Sequence, residues 1–319
     1  MSTEDNNNDI SNTCANCGKV GGDVTNTCNK CKKTMYCNAA CKKRHRQKHK
    51  KDCEEHQRLA AEHAAELHNI ELFKDPPPPF EDCPICFLRM PSYPSGSSYQ
   101  SCCGKVICSG CGFAPVYDNQ GKKDDIQKCP YCRAPAPTII TVEDSHERYK
   151  RRVEVGDAHA IYNLGCCYHD GGNLLCGFLP HDMDKALELW HRAAKLDFAA
   201  AYTNIGFAYQ EGRGVEVDKD KALHYYELGA MGGDTVARHN LGDVEWRGGN
   251  MKRAVRHFII AASDGNEKSL KFIKKMFTYG FAEKEDYMKA LQSYQTYLGE
   301  IKSSQRDEAA AARKDCRYY

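Results

Sequence analysis

The sequence predicts a multidomain chain: two small cysteine-built modules, then an all-α solenoid of helical hairpins. Three observations carry that prediction. Fifteen of the 19 cysteines fall before residue 133, most of them as C-x-x-C pairs. A run of four prolines, Pro76 to Pro79, separates two cysteine-rich stretches. Beyond about residue 153 cysteine becomes sparse. There a Leu/Ile–Gly step recurs at Leu164–Gly165, Ile205–Gly206 and Leu241–Gly242, with gaps of 41 and 36 residues.

The 319 residues give room for two or three modest domains. The 45 lysines and arginines nearly cancel the 43 aspartates and glutamates, so the whole molecule is not built for polyanions. No apolar run approaches a membrane span, and the opening stretch, MSTEDNNNDISNT, is acidic and polar rather than signal-like. Residues 1–13 are expected to be a disordered tail. An intracellular protein, cytoplasmic or nuclear, keeps its thiols reduced. Repeated C-x-x-C pairs in that setting read as zinc ligands, because a two-residue gap lets a tight turn aim two sulfurs at one ion.

In the first module Cys14/Cys17, Cys28/Cys31, Cys37/Cys41 and His49/Cys53 make four pairs, the number two tetrahedral sites need. The last two pairs are spaced i, i+4, so each fits one face of a helical turn. On one straight helix Cys41 and Cys53 would lie roughly 18 Å apart at 1.5 Å per residue. Zinc bonds of about 2.0–2.3 Å cannot span that. The two cysteines serve different metals, or the helix breaks. The strings CANC, CNKC, MYCNAAC and HKKDC resemble a MYND-type zinc finger over residues 14–53. The resemblance implies two interleaved zincs. Cys14, Cys17, Cys37 and Cys41 would hold the first, and Cys28, Cys31, His49 and Cys53 the second. Tyr36 fits the family pattern. Arg46 stands where that family usually has tryptophan, which bears on its usual partner groove rather than on the metals. His45, spaced four from Cys41 and from His49, is a rival ligand, and otherwise a solvent-facing residue. The basic strip CKKRHRQKHKKDC then has a plain account: lysines and arginines take the wet side of a ligand-bearing helix and offset thiolate charge. A nucleic-acid or nuclear-import role for residues 42–51 lacks aromatic residues interleaved to stack bases.

Residues 54–82 read as a helix with an alanine-rich face expected to pack on a neighbour, followed by DPPPPF, a stiff extended linker. The second module, 83–135, carries CPIC, CCGKVICSGC and CPYCRAP, which resemble a RING-type zinc finger across residues 83–133. The resemblance implies a cross-brace, with Cys83, Cys86, Cys108 and Cys111 on one zinc and Cys129 and Cys132 on the other. Lys105 occupies the place of the family's histidine, and a protonated amine is a poor ligand. Cys102 joins Cys103 in an all-cysteine site, or the site holds three cysteines and another donor; Lys105 lies close enough to offset the charge. The resemblance also implies contacts to a ubiquitin-conjugating enzyme by Ile85 and Pro130, and by Arg133 as the cation bridging that enzyme and ubiquitin. The contact tryptophan is absent, since the chain's two tryptophans are Trp190 and Trp246, and Phe113 or Val116 would substitute. The alternative is a RING-like fold that only binds.

After a linker at 136–152, paired helical patterns recur over residues 153–300. AIYNLGCCY, AYTNIGFAY and ARHNLGDVEW alternate with DKALELWHRAAKLD, DKALHYYELGAMGG and KRAVRHFIIAASDG. Two helices per period joined by a glycine-bearing turn make a stacked array. The string EGRGVEVDKDKAL resembles the Sel-one-like repeat, a relative of the tetratricopeptide repeat. It implies four units: a long loop in the first, a short one in the third, and a degenerate last unit. Ala186, Ala222, Ala254 and Ala290 recur where hairpins approach closely. Residues 301–319 are expected as a helix capping the last open apolar face.

Such an array suits a partner's peptide or helix. Asn163, Asn204 and Asn240 recur at one position, as ties between hairpins or as hydrogen bonds to a bound peptide. Cys166 and Cys167 are expected as ordinary buried thiols, with Cys176 in the loop and Cys316 near the end. None has the setting of a nucleophile. Phosphate-cradling loops, serine-triad motifs and HExxH helices are absent from the sequence. The expectation is an intracellular protein-binding chain with about four zinc ions and no role in binding membranes or nucleic acid. It is either a RING-type ubiquitin ligase whose repeats select substrate or a non-catalytic adaptor.

Overall fold

A computed structural model describes residues 13–22, 24–78, 81–92, 94–114, 128–135, 142–171 and 179–318. The chain forms two compact units, 1–71 and 72–319.

The first unit is built on a two-residue antiparallel ladder. Strand β1 (Asn26–Thr27) pairs with β2 (Met35–Tyr36), Asn26 opposite Tyr36. Helix α1 (Ala39–His45) starts where the Asn38 side chain accepts the Cys41 N–H at 2.8 Å. The helix then breaks over residues 46–49 and resumes as α2 (Lys50–Leu72), one of the two outcomes the reach argument allows. Cys14, Val24, Tyr36 and Cys41 form the small core. Residues 54–68 of α2 are all exposed, so the alanine-rich face does not pack on a neighbour in this structure. Alanine offers little apolar area, and Glu, Arg and His interleave around the helix.

The second unit opens with Leu72 and Phe73, both buried among Tyr226, Ala230, Ala237 and Leu241. The linker's beginning is therefore held by core packing. Strand β3 (Ser97–Gln100) pairs antiparallel with β4 (Lys105–Cys108), and the short helix α3 (Ser109–Phe113) follows. Residues 142–154, the greater part of which was expected as linker, are helical: α4 (Val142–Glu154) places Tyr149 and Val153 on one face against Ala160 and Cys167. The sequence reading missed this i, i+4 pair because charged residues surround it.

Four helical hairpins follow. They are α5 (Ala158–Asp170) with α6 (Met183–Ala194), α7 (Ala199–Glu211) with α8 (Lys219–Met231), α9 (Thr235–Arg247) with α10 (Met251–Ser263), and α11 (Glu267–Thr278) with α12 (Lys284–Ile301). Asp157, Asp182, Asp218, Asp234 and Asn266 cap helix starts, each accepting a backbone N–H two or three residues on. Each such cap contributes on the order of 1 kcal/mol. The Leu/Ile–Gly step is explained by packing. A methyl at Gly165, Gly206 or Gly242 would lie 2.7, 2.8 or 2.6 Å from the ring of Trp190, Tyr226 or Phe258, the aromatic of the paired helix. Ala186, Ala222, Ala254 and Ala290 are buried. Asn204 donates to Tyr162 Oη (3.4 Å) and Cys166 Sγ (3.6 Å) of the preceding hairpin, a tie between hairpins.

Helix α13 (Ser304–Ala312) does more than cap the array: it packs on α3 of the cysteine module. Cys166 and Cys316 form no disulfide, whereas Cys167 is disulfide-bonded, against the all-thiol expectation. Its sulfur is buried, which shields a disulfide from attacking thiolates. Cys176 and Val116 lie outside the described residues. Among the described residues, no helix is long and apolar enough to cross a membrane.

Candidate metal centres

Four C-x-x-C knuckles share one construction. The N–H of the residue after the second cysteine returns to the carbonyl of the first. These bonds are Gly18 to Cys14 (2.9 Å), Lys32 to Cys28 (3.0 Å), Phe87 to Cys83 (2.8 Å) and Arg133 to Cys129 (3.0 Å). That closing residue is left-handed each time, with φ of 72, 58, 56 and 62°. The fifth pair differs. Cys108 caps α3, its sulfur accepting the Cys111 N–H at 3.4 Å.

The knuckles and helix turns bring sixteen side chains into four quartets. They are Cys14, Cys17, Cys37 and Cys41; Cys28, Cys31, His49 and Cys53; Cys83, Cys86, Cys108 and Cys111; and Cys102, Cys103, Cys129 and Cys132. Within each quartet the candidate ligand atoms lie within 4.8 Å of one another. The pairs interleave, and Cys41 and Cys53 fall in different quartets. Adjacent Cys102 and Cys103 both reach the fourth. The turn between β3 and β4 folds back there, with the Cys103 and Gly104 N–H groups on Gln100 O at 3.1 and 2.8 Å. Cys102 Sγ lies 3.5 Å from Cys132 Sγ. Lys105 meets this quartet through its backbone N–H, which faces Cys103.

His45 stands outside the quartets, its Nδ1 3.3 Å from Tyr36 Oη. His49 sets its Nε2 3.3 Å from Cys31 Sγ while Nδ1 pairs with Thr34 Oγ1 at 3.3 Å. Sequence reasoning missed Thr34, which orients that imidazole, and Asn16, whose amide donates to Cys41 Sγ at 3.4 Å. Small polar residues inside a cysteine-rich string carry no spacing signal.

The thiols do not ionise as equals. Burial pushes Cys14 up, but the N–H groups of Cys37, Cys17 and Asn16 outweigh it and bring the thiol to about 6. Burial likewise opposes, and the N–H groups of Lys33 and Thr34 overcome, at Cys31, which falls to about 5. Cys83 falls to about 4, first through the Cys108 sulfhydryl. Burial and neighbouring sulfurs then drive their companions up, Cys37 and Cys111 to about 12 and Cys53 to about 11. In these three quartets the neighbouring sulfurs oppose full ionisation, and a divalent cation would relieve that opposition. Sulfur-rich, closely gathered donor sets suit zinc, which when bound supplies a closed tetrahedral cross-link without an open position.

Comparison with known families agrees with this arrangement at both ends. Residues 14–53 match the MYND finger model, and residues 158–198, 199–234 and 236–266 match the Sel1 repeat. The chain carries a MYND finger and Sel1 repeats. A curated relative is the ERAD-associated E3 ubiquitin-protein ligase component HRD3B of Arabidopsis thaliana, 32% identical over 107 residues, or 33% of this chain. The match spans only 16% of that relative's length. Similar solved structures include a Sel1 repeat protein from Oxalobacter formigenes (23% identity, TM-score 0.42), covering 55% of this chain and 72% of that one. Another is a protective antigen of uropathogenic Escherichia coli with an SLR fold (23% identity, TM-score 0.41), covering 54% of this chain and 36% of that one. A zinc finger joined to Sel1 repeats suggests a protein-interaction adaptor.

Proposed function

We propose that the chain is a protein-interaction protein holding about four zinc ions, and that residues 83–135 act as a RING-type ubiquitin ligase module. In this reading the module grips a charged conjugating enzyme while the hairpin array binds the substrate as a peptide or helix. The single observation that carries it is the interleaving of the third and fourth quartets, Cys83/Cys86 with Cys108/Cys111 and Cys102/Cys103 with Cys129/Cys132. A RING ligase performs no covalent chemistry; it positions a thioester for attack. Ile85 and Pro130 are half-buried inside their knuckles, and Arg133 is exposed. Phe113 is exposed and available for the apolar contact that tryptophan makes in the family.

A second reading, a non-catalytic adaptor, is favoured by the Arabidopsis relative, whose name makes it a component of a ligase. One assay separates the two. Purified full-length protein is mixed with activating enzyme, a panel of conjugating enzymes and ubiquitin. Ubiquitin chains that vanish in Ile85→Ala and Arg133→Ala support the ligase. No chains, or chains indifferent to both substitutions, leave the adaptor.

A further inference from the structure

Arg306 of α13 is 0% exposed. Its guanidinium meets three acceptors, two from the stretch 86–89 and one from the end of α12. Nη1 donates to Ile301 O at 2.6 Å and to Arg89 O at 2.9 Å, and Nη2 faces Cys86 Sγ at 3.8 Å. The approach is close because of Gly110 in α3. A methyl there would lie 2.8 Å from the Arg306 backbone nitrogen and 3.0 Å from the Gln305 carbonyl carbon. Arg89, whose carbonyl Arg306 holds, turns its own guanidinium to Asp264 (2.7 Å) and Glu300 (2.6 Å), and lies over the Tyr297 ring.

A fully buried guanidinium is costly unless negative charge faces it. The quartet atom that Arg306 faces is the Cys86 sulfur, which would be a thiolate when it holds zinc. Four thiolates around one zinc ion leave a formal charge of minus two, which is also costly when buried. Each charge offsets the other. We propose that Arg306 is the outer-sphere partner of the Cys83, Cys86, Cys108 and Cys111 quartet, so that metal loading there and docking of the α12–α13 end of the array form one linked equilibrium. The inference rests on that quartet holding zinc. It makes the last hairpin of the repeat array, and any partner surface it offers, dependent on metal in a quartet more than 150 residues away in sequence.

The test uses the full-length protein, loaded with zinc under reducing conditions. In the first arm a graded chelator titration is read by released zinc for wild type, Arg306→Met and Arg306→Lys. Outer-sphere substitutions weaken metal binding by about 10–100-fold. Arg306→Met is expected to release one zinc at about tenfold lower chelator strength, with Arg306→Lys between it and wild type and the other zincs unmoved. The second arm needs no variant. Hydrogen exchange of wild type, loaded and stripped, should show residues 284–312 losing protection together with residues 83–111, while α7 and α8 keep theirs. An unchanged release profile in folded Arg306→Met, or full protection of 284–312 after stripping, overturns the inference and leaves the metal reading standing. A wild-type chain that never binds zinc at this quartet overturns both.

Discussion

Phe87 and Arg133 occupy the same place in two different knuckles. Each follows the second cysteine of a C-x-x-C pair and each is left-handed, at φ 56° and 62°. Gly18 fills the equivalent place in the first module at no steric cost. A non-glycine residue there costs about 1 kcal/mol, and Phe87 is also 77% exposed. On the proposed ligase reading, these two exposed side chains are contacts to the conjugating enzyme. Phe87→Gly and Arg133→Gly are therefore expected to leave thermal stability unchanged or raised by up to about 1 kcal/mol. Conjugating-enzyme binding in a pull-down should fall sharply. A variant that loses stability while keeping its partner contradicts this.

The linker's anchor is a second point of attack. The Phe73 ring packs tilted against His257, centroids 4.5 Å apart, and lies 4.1 Å from the Arg256 guanidinium and 5.2 Å from that of Arg253. Arg238 holds the Leu72 carbonyl at 2.5 Å. Truncating a buried phenylalanine costs about 3–5 kcal/mol. Phe73→Ala should lower the urea midpoint of the repeat array accordingly, and the better-filling Phe73→Leu should lower it less.

Acid should weaken the same region. Burial, with Arg238, Arg253 and Arg256 nearby, lowers His257 from its ordinary 6.5 to about 3. Folded, the ring stays neutral; unfolded, it takes up a proton below 6.5. Across that window the unfolded chain binds more protons, so stability falls as pH drops, by up to about 1.4 kcal/mol per pH unit. His257→Leu removes this slope. The readout is the wild-type-minus-variant difference in urea midpoint at pH 7 and pH 5, since thiolate protonation acts on both proteins alike. A difference that does not move with pH refutes the assignment.

What the sequence made legible was what spacing encodes. Cysteine pairs separated by two residues marked the knuckles, and the Leu/Ile–Gly step marked the repeat period, though not the Trp190, Tyr226 and Phe258 rings that pack on its glycines; of the i, i+4 pairs, Cys37 and His49 lie just outside the helices that hold their partners. Bond lengths left two alternatives for Cys41 and Cys53, separate metals or a broken helix, and the structure shows them in separate quartets with a break between. Contacts between distant segments were not legible. Nothing near Arg306 in sequence announces a sulfur partner at Cys86. Nor does anything near Tyr99 announce Asp157, whose carboxylate accepts its hydroxyl at 2.9 Å beside Arg152. A lone arginine on a charged helix reads as surface, and only packing reveals otherwise. Alanine in α2 misled in the opposite direction, as a packing signal on a face that is exposed.

Zinc content tests the central claim most directly: that sulfur gathered around metal, in four separate quartets, builds the first 135 residues. Elemental analysis of the reduced, full-length protein after removal of loosely bound metal should give about four zinc ions per chain, in line with the four quartets. A folded chain holding two or fewer contradicts the account.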